Sequence, residues 1–226
     1  MQHAVIFDLD DTLYPEAAYV ASGFRAVDDA LARHHALEGF AACATAVAAE
    51  GYPGHVFDEA LRRIGGAPSL AGWCVATYRA HLPDIVLFPE AAEALATLRP
   101  KAALGVLTDG WLVAQRQKIA ALDLAAQVDA VVYTDTFGRA HWKPAPTGYE
   151  AVAGALGVPH RACIYVADNP AKDFITAKAL GWHTLHVARP GQTHAAEPPT
   201  EAHAAERRAT TLREAMTTLE DWIADD

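Results

Sequence analysis

The run Ala4-Val5-Ile6-Phe7-Asp8-Leu9-Asp10-Asp11-Thr12 decides the architecture. It is almost continuously apolar and then turns acidic, as expected of a strand buried on both faces that ends at a polar edge. Four later runs repeat the apolar part, at 102–108, 128–133, 162–167 and 182–187, the last with partial alternation. Segments with helical spacing of apolar residues lie between the later runs, at 111–121, 145–156 and 170–180. Asn169 followed by Pro170 predicts a cap and first-turn proline for the last of these, with Gly157 and Gly181 ending the second and third. Strands alternating with helices imply βαβ units. The predicted fold class is therefore α/β, a doubly wound parallel sheet.

The interval 15–88 breaks this rhythm. It is rich in Ala and reads as four helices, 16–35, 38–50, 55–64 and 69–81, with breaks near Gly51-Tyr52-Pro53-Gly54 and Gly65-Gly66-Ala67-Pro68. This predicts a small all-helical domain at 15–88, inserted into an α/β core formed by 1–14 and 89–226. Residues 90–99 return the chain to that core as a helix. The stretch 189–206, rich in Pro, Ala, His and Thr, is expected to be loop. Leu212, Met216, Leu219 and Ile223 fit one face of a final helix.

Composition narrows the class. The 226 residues include 18 Lys+Arg and 28 Asp+Glu, a formal net charge of −10, and 52% are hydrophobic. Such a chain can bury a core and is no disordered polyanion. The acidic balance argues against a nucleic-acid or membrane-surface binder, since both favour basic patches. No apolar run approaches the roughly 20 residues that span a bilayer. The start, Met1-Gln2-His3-Ala4, lacks the charged and long apolar parts of a signal peptide, so a cytoplasmic location is expected. Cys43, Cys74 and Cys163 form no CxxC pair and read as reduced thiols.

The polar residues at the strand ends carry the chemistry. Asp8, Asp10 and Asp11 cluster just past the first strand, where carboxylates repel unless a cation joins them. Hard oxygen ligands select Mg²⁺ over zinc. The second strand ends in Thr108-Asp109-Gly110, Lys143-Pro144 precedes a helix, and Asp168 and Asp173 follow the fourth strand. All lie at carboxyl ends of parallel strands, where open α/β sheets bind ligands. Thr108 offers a hydroxyl, the Asp109 and Gly110 amides can donate to a phosphate oxygen, and Lys143 offers a compact positive charge. Asp168 would complete an oxygen-ligand shell.

The order Asp8-x-Asp10-x-Thr12, Thr108, Lys143-Pro144 and Asp168-x-x-x-x-Asp173 resembles the haloacid dehalogenase (HAD) superfamily, from Ala4 to about Gly191. Ala167 departs from it, standing where a glycine often precedes the first aspartate of the last motif. The resemblance implies a Rossmann-like core with a helical cap at 15–88. It also implies a Mg²⁺ cofactor held by Asp8, the Asp10 carbonyl and Asp168. Asp8 would be the nucleophile and Asp10 the general acid and base, while Thr108 and Lys143 would hold phosphoryl oxygens. Asp173 would order Lys143 or a metal-bound water, Thr12 would orient the Asp10 loop, and Asn169 would cap a helix beside the metal.

Within such a superfamily the reaction is decided by individual residues. Asp10 argues against dehalogenation, which needs no second aspartate. The interval 15–88 contains no lysine, which argues against a phosphonatase using a cap Schiff base. The expected function is a phosphatase of a small phosphorylated metabolite, a sugar phosphate or nucleotide-like phosphomonoester. A phosphomutase and a non-catalytic binding module remain as alternatives. Substrate contacts are sought at Tyr14, Tyr19 and Arg25, and at Arg139, His141 and Trp142. His34-His35, Arg62-Arg63, Trp73 and Tyr78 read as packing or surface residues of the helical interval. His183 and His186 read as structural, away from the carboxyl end of their strand.

Overall fold

The computed structural model describes residues 3–51 and 55–224. Met1-Gln2 of the start, and Tyr52-Pro53-Gly54 of the first predicted break, lie outside the described residues. The sheet contains β1 (Ala4–Phe7), β2 (Ala103–Thr108), β3 (Ala130–Tyr133), β4 (Cys163–Ala167), β5 (His183–Val187) and β6 (Arg207–Ala209). Its order is β3-β2-β1-β4-β5-β6, with every pair parallel. The chain runs outward from β1 to β2 and β3, then returns to the other side of β1 for β4. That reversal opens a crevice at the carboxyl ends of β1 and β4. Phe7 lies in register with both Val106 and Val166, so Asp8, Thr108 and Asp168 emerge along one edge.

Alternate side chains of β1 enter different cores, which is why its apolar run is unbroken. Val5 and Phe7 pack with α5 (Pro89–Leu98), α6 (Leu112–Ala121) and α9 (Leu212–Ala224). Ala4 and Ile6 pack with Tyr149 and Val152 of α7 (Thr147–Leu156), Phe174 of α8 (Phe174–Ala179), and Trp182. Each fully buried Ile or Phe contributes about 1.5–3 kcal/mol relative to exposure.

Four helices lie between β1 and β2: α1 (Glu16–His35), α2 (Phe40–Ala49), α3 (Val56–Arg63) and α4 (Ala71–Ala80). They enclose a core of their own, with Phe24, Val27, Leu31, Phe40 and Leu61 buried together. A Cβ at Gly23 would stand 2.3 Å from the Tyr78 ring, so only glycine lets α1 and α4 approach so closely. Where the chain leaves and re-enters the sheet, the Phe88 amide donates to the Leu13 carbonyl at 2.9 Å. Among the described residues no helix is long and apolar enough to cross a membrane.

Several expectations need correction. The sheet has a sixth strand, β6, whose Arg-Arg-Ala sequence carries no apolar run and which exists by pairing with β5. α8 begins at Phe174 rather than after Pro170. Pro170 sits in a turn in which the Asn169 carbonyl accepts from Asp173 at 3.1 Å and the Asn169 side chain accepts from Ala171 at 3.0 Å. Asn169 thus caps that turn instead of a helix. His186 lies one residue from the carboxyl end of β5, where its Nε2 is 2.9 Å from the Asp168 carbonyl. The 189–206 stretch is loop apart from a 3-10 turn at Glu201–His203, yet it is tied to the site. Thr193 donates to the Asp11 carboxylate at 2.7 Å, and Gln192 to the Asp168 carbonyl at 3.0 Å.

Candidate active site

Asp8 follows β1 and stays stitched to the sheet through its amide, which donates to Val166 at 2.9 Å. Its carboxylate is buried and receives Lys143 Nζ at 2.5 Å. The same Nζ lies 2.7 Å from Asp173 and donates to the Tyr165 hydroxyl at 2.9 Å. Lys143 and Asp173 are fully enclosed. Burial alone would push the Lys143 ammonium down, but Asp173 and Asp8 outweigh it and hold the charge firmly in place.

Asp168 completes the group. Ligand oxygens of Asp8, Asp168 and Asp173 lie within 4.8 Å of one another. Asp168 Oδ2 is buried and has no hydrogen-bond partner among the described residues. Burial, then repulsion from Asp8 and Asp173, pushes the Asp168 carboxyl up to about 9. Asp8 is pushed up to about 6, chiefly by burial, with Lys143 opposing. Three carboxylates therefore face one enclosed ammonium, an arrangement short of positive charge.

Asp10 points into a different set of partners. It receives Lys118 Nζ at 2.6 Å, Gln115 Nε2 at 2.9 Å and the Tyr14 hydroxyl. Burial works against its charge, but Lys118 prevails and holds it below the usual carboxylate range. The Asp10 carboxylate is not in the Asp8–Asp168–Asp173 cluster. The loop that carries it is held by Asp11, whose carboxylate accepts from the amides of Glu16 at 2.8 Å and Thr193 at 2.7 Å. The Thr12 hydroxyl, expected to orient this loop, is buried without a hydrogen-bond partner among the described residues.

Thr108 is buried at the end of β2, and its hydroxyl accepts from Gln115 at 2.5 Å. Asp109 and Gly110 line the cavity beside it. The Asp109 side chain acts as a brace, accepting from Thr134 at 2.7 Å, the Lys143 amide at 3.1 Å and Lys172 Nζ at 3.1 Å. Gly110 has φ +112°, which a larger residue would adopt only under strain. Asn169 donates its amide to Asp173 at 3.1 Å and so fixes the acid that holds Lys143.

The structure brings Asp8, Asp10, Asp109, Gly110, Lys143 and Asp168 to one cavity of about 620 Å³. The helical insertion contributes Tyr19, Phe57, Tyr78 and Arg79 to its wall. Tyr14 reaches the site through Asp10, whereas Arg25 points to the surface and pairs with Asp84 at 3.4 Å. His34 and His35 pack edge-on against Trp73, and Arg62 and Arg63 pair with Glu59. Trp142 lines the cavity, while His141 contacts Thr147.

Sequence reasoning missed Gln115, Lys118, Lys172 and Tyr165. The first two stand three residues apart on α6, so they share the face turned to the sheet edge. A Gln and a Lys at that spacing just after Thr108-Asp109-Gly110 were the available signal. Lys172 lies inside the Asp168–Asp173 spacing. Tyr165 is a polar tip in an apolar strand, and nothing local marks it.

The chain matches the haloacid dehalogenase-like hydrolase family over residues 2–181. It is 31% identical to a phosphoserine phosphatase of Thermus thermophilus over 162 residues, 71% of this chain and 64% of that protein. It is 30% identical to a glyceraldehyde 3-phosphate phosphatase of Methanopyrus kandleri, covering 84% of this chain and 85% of the relative. Among solved structures, a 2-haloacid dehalogenase of Pseudomonas syringae aligns with a TM-score of 0.69 at 21% identity, covering 98% of this chain and 100% of that one. A HAD phosphatase of Thermococcus onnurineus aligns with a TM-score of 0.62 at 21% identity, covering 97% and 98%. At such identities these structures show a shared fold alone.

Proposed function

Because the chain belongs to the haloacid dehalogenase-like hydrolase family, we propose that it is a Mg²⁺-dependent phosphatase of a small phosphorylated metabolite. The observation that carries this reading is the buried group of Asp8, Asp168 and Asp173 around Lys143, with one carboxylate oxygen left unpartnered. The donors are all oxygen and exceed the positive charge facing them, which fits a hard divalent cation. Asp8, the Asp10 carbonyl and Asp168 would hold Mg²⁺, which when bound neutralises these carboxylates and draws charge from the phosphoryl oxygens.

The residues divide the remaining work. Asp8 presents a carboxylate oxygen for in-line attack on phosphorus, forming an aspartyl-phosphate. Lys143, Thr108 and the Asp109 and Gly110 amides hold phosphoryl oxygens, and their preorganisation is the largest catalytic contribution. Asp173, itself fixed by Asn169, keeps Lys143 in place. Asp10 exchanges protons with the leaving oxygen and then with the hydrolytic water. Asp10 enters the first step protonated and gives that proton to the leaving oxygen; Lys118 then stabilises the carboxylate left behind, which takes the proton of the hydrolytic water. Residues 15–88 act as the cap that closes the cavity over a core of 1–14 and 89–226. The relatives' names, for phosphoserine and glyceraldehyde 3-phosphate, support a small substrate. The unpaired Cys43, Cys74 and Cys163 support a cytoplasmic location.

The test is phosphate release from sugar phosphates, nucleotides, phosphorylated acids and an aryl phosphate, with Mg²⁺, with chelator and with Asp8→Asn. Turnover that needs Mg²⁺ and vanishes in Asp8→Asn is expected. Transfer of the phosphoryl group to a second sugar without phosphate release would instead identify a mutase.

A further inference from the structure

The cavity wall at Arg79, and the exposed Arg139 beside it, carry positive charge that this chemistry does not use. Arg79 comes from α4 of the insertion, and Arg139 from a 3-10 turn between β3 and α7. Both guanidinium carbons lie 3.8 Å from the ring centroid of Trp111. Arg79 and Trp111 line the cavity, and Arg139 also lies 5.9 Å from the Trp142 ring. Among the described residues neither arginine has a carboxylate within ion-pair distance. Some arginines of this acidic chain do, as Arg63 with Glu50, Arg189 with Glu90 and Arg213 with Glu93; what distinguishes Arg79 and Arg139 is that both stack on the one ring of Trp111.

Stacking on an indole satisfies the face of a guanidinium but leaves its in-plane N–H donors free. Two such groups gathered on one ring repel each other, and burial adds to the cost for Arg79. An anion at the edge of the indole, reached by the in-plane donors of both guanidinium groups, offsets that repulsion and accepts the idle N–H groups. We propose that Arg79, Arg139 and Trp111 form a subsite for a second anionic group of the substrate, distal to the phosphoryl group presented to Asp8. The substrate class is then a phosphomonoester bearing a further carboxylate or phosphate, a refinement that rests on the phosphatase reading above. One arginine belongs to the insertion and the other to the sheet domain. The second anion therefore also ties the two together over the cavity.

The test is calorimetric binding of three non-hydrolysable phosphonates in Mg²⁺: propylphosphonate, 3-phosphonopropionate and propane-1,3-diphosphonate. At least one dianionic probe is expected to bind about tenfold tighter than propylphosphonate, the worth of one charge-assisted hydrogen bond. Whichever does so names the second group as carboxylate or phosphate. Arg79→Gln should erase that gain, and Arg79→Lys should restore part of it. Equal binding of all three by the wild type overturns the proposal. So does a gain that survives in both Arg79→Gln and Arg139→Gln, or no binding of either dianion by the folded protein. The comparison needs no turnover. A protein that releases no phosphate would refute the phosphatase reading and leave this result standing on its own.

Discussion

Around β1 and β4 the enclosed side chains at the sheet edge are charged, and apart from Asp168 they hold one another: Lys143 lies between Asp8 and Asp173, and Lys172 braces Asp109. In the helical insertion the enclosed side chains are apolar and aromatic, with Phe24, Phe40, Phe57 and Tyr78 meeting in edge-on or tilted pairs. The charged cluster is specified pair by pair, and removing one member leaves another uncompensated. The aromatic cluster is specified by volume, and neighbouring residues can share the loss. One region, which the proposed function makes the seat of the reaction, tolerates little change. The other shapes the cavity and has more freedom to vary.

Lys143→Met should break the contrast at its strongest point. It would leave the buried carboxylates of Asp8 and Asp173 without their shared cation, costing about 3–5 kcal/mol by urea denaturation and nearly all turnover. A loss under 1 kcal/mol would mean that the charges are not coupled as described. Phe40→Ala should cost about 3 kcal/mol, but locally. Hydrogen exchange should rise across α1–α4 while β1 and β4 stay protected; uniform loss would show that the two regions unfold as one. Lys118→Met should lower kcat about tenfold and stability by about 2 kcal/mol, because Asp10 loses its charged partner. An unchanged kcat would remove Asp10's position from the account. Gly23→Ala should lower stability by about 1–3 kcal/mol through collision with Tyr78, read as a reduced Tm. Arg25→Ala should change stability by under about 0.5 kcal/mol and leave kcat/KM intact, since its pair is exposed.

The same contrast explains what could be read in the sequence. β1, β2 and β4 announce themselves as unbroken apolar runs, because both faces of the sheet are covered. Asp8, Thr108 and Asp168 follow from being the first polar residues past those runs. β6 is illegible, since Arg207-Arg208-Ala209 becomes a strand only by pairing with β5. Gln115 and Lys118 look like the solvent face of a helix until α6 is docked against the sheet edge. The start of α8 is misread because Pro170 fits a helix's first turn and a loop turn equally well, and Asp173 is drawn away by Lys143. In the insertion Tyr78 and Phe57 serve both as core and as cavity wall, a double role that helical spacing does not reveal.

The proposed mechanism turns on transfer of the phosphoryl group to Asp8. The most direct measurement is rapid acid quenching of the wild-type protein during turnover of an aryl phosphate with Mg²⁺, followed by peptide mass spectrometry. A hydroxylamine-sensitive phosphoryl adduct is expected on the peptide containing Asp8, absent with chelator and in Asp8→Asn. Full turnover with no adduct, or an adduct on another residue, would contradict it.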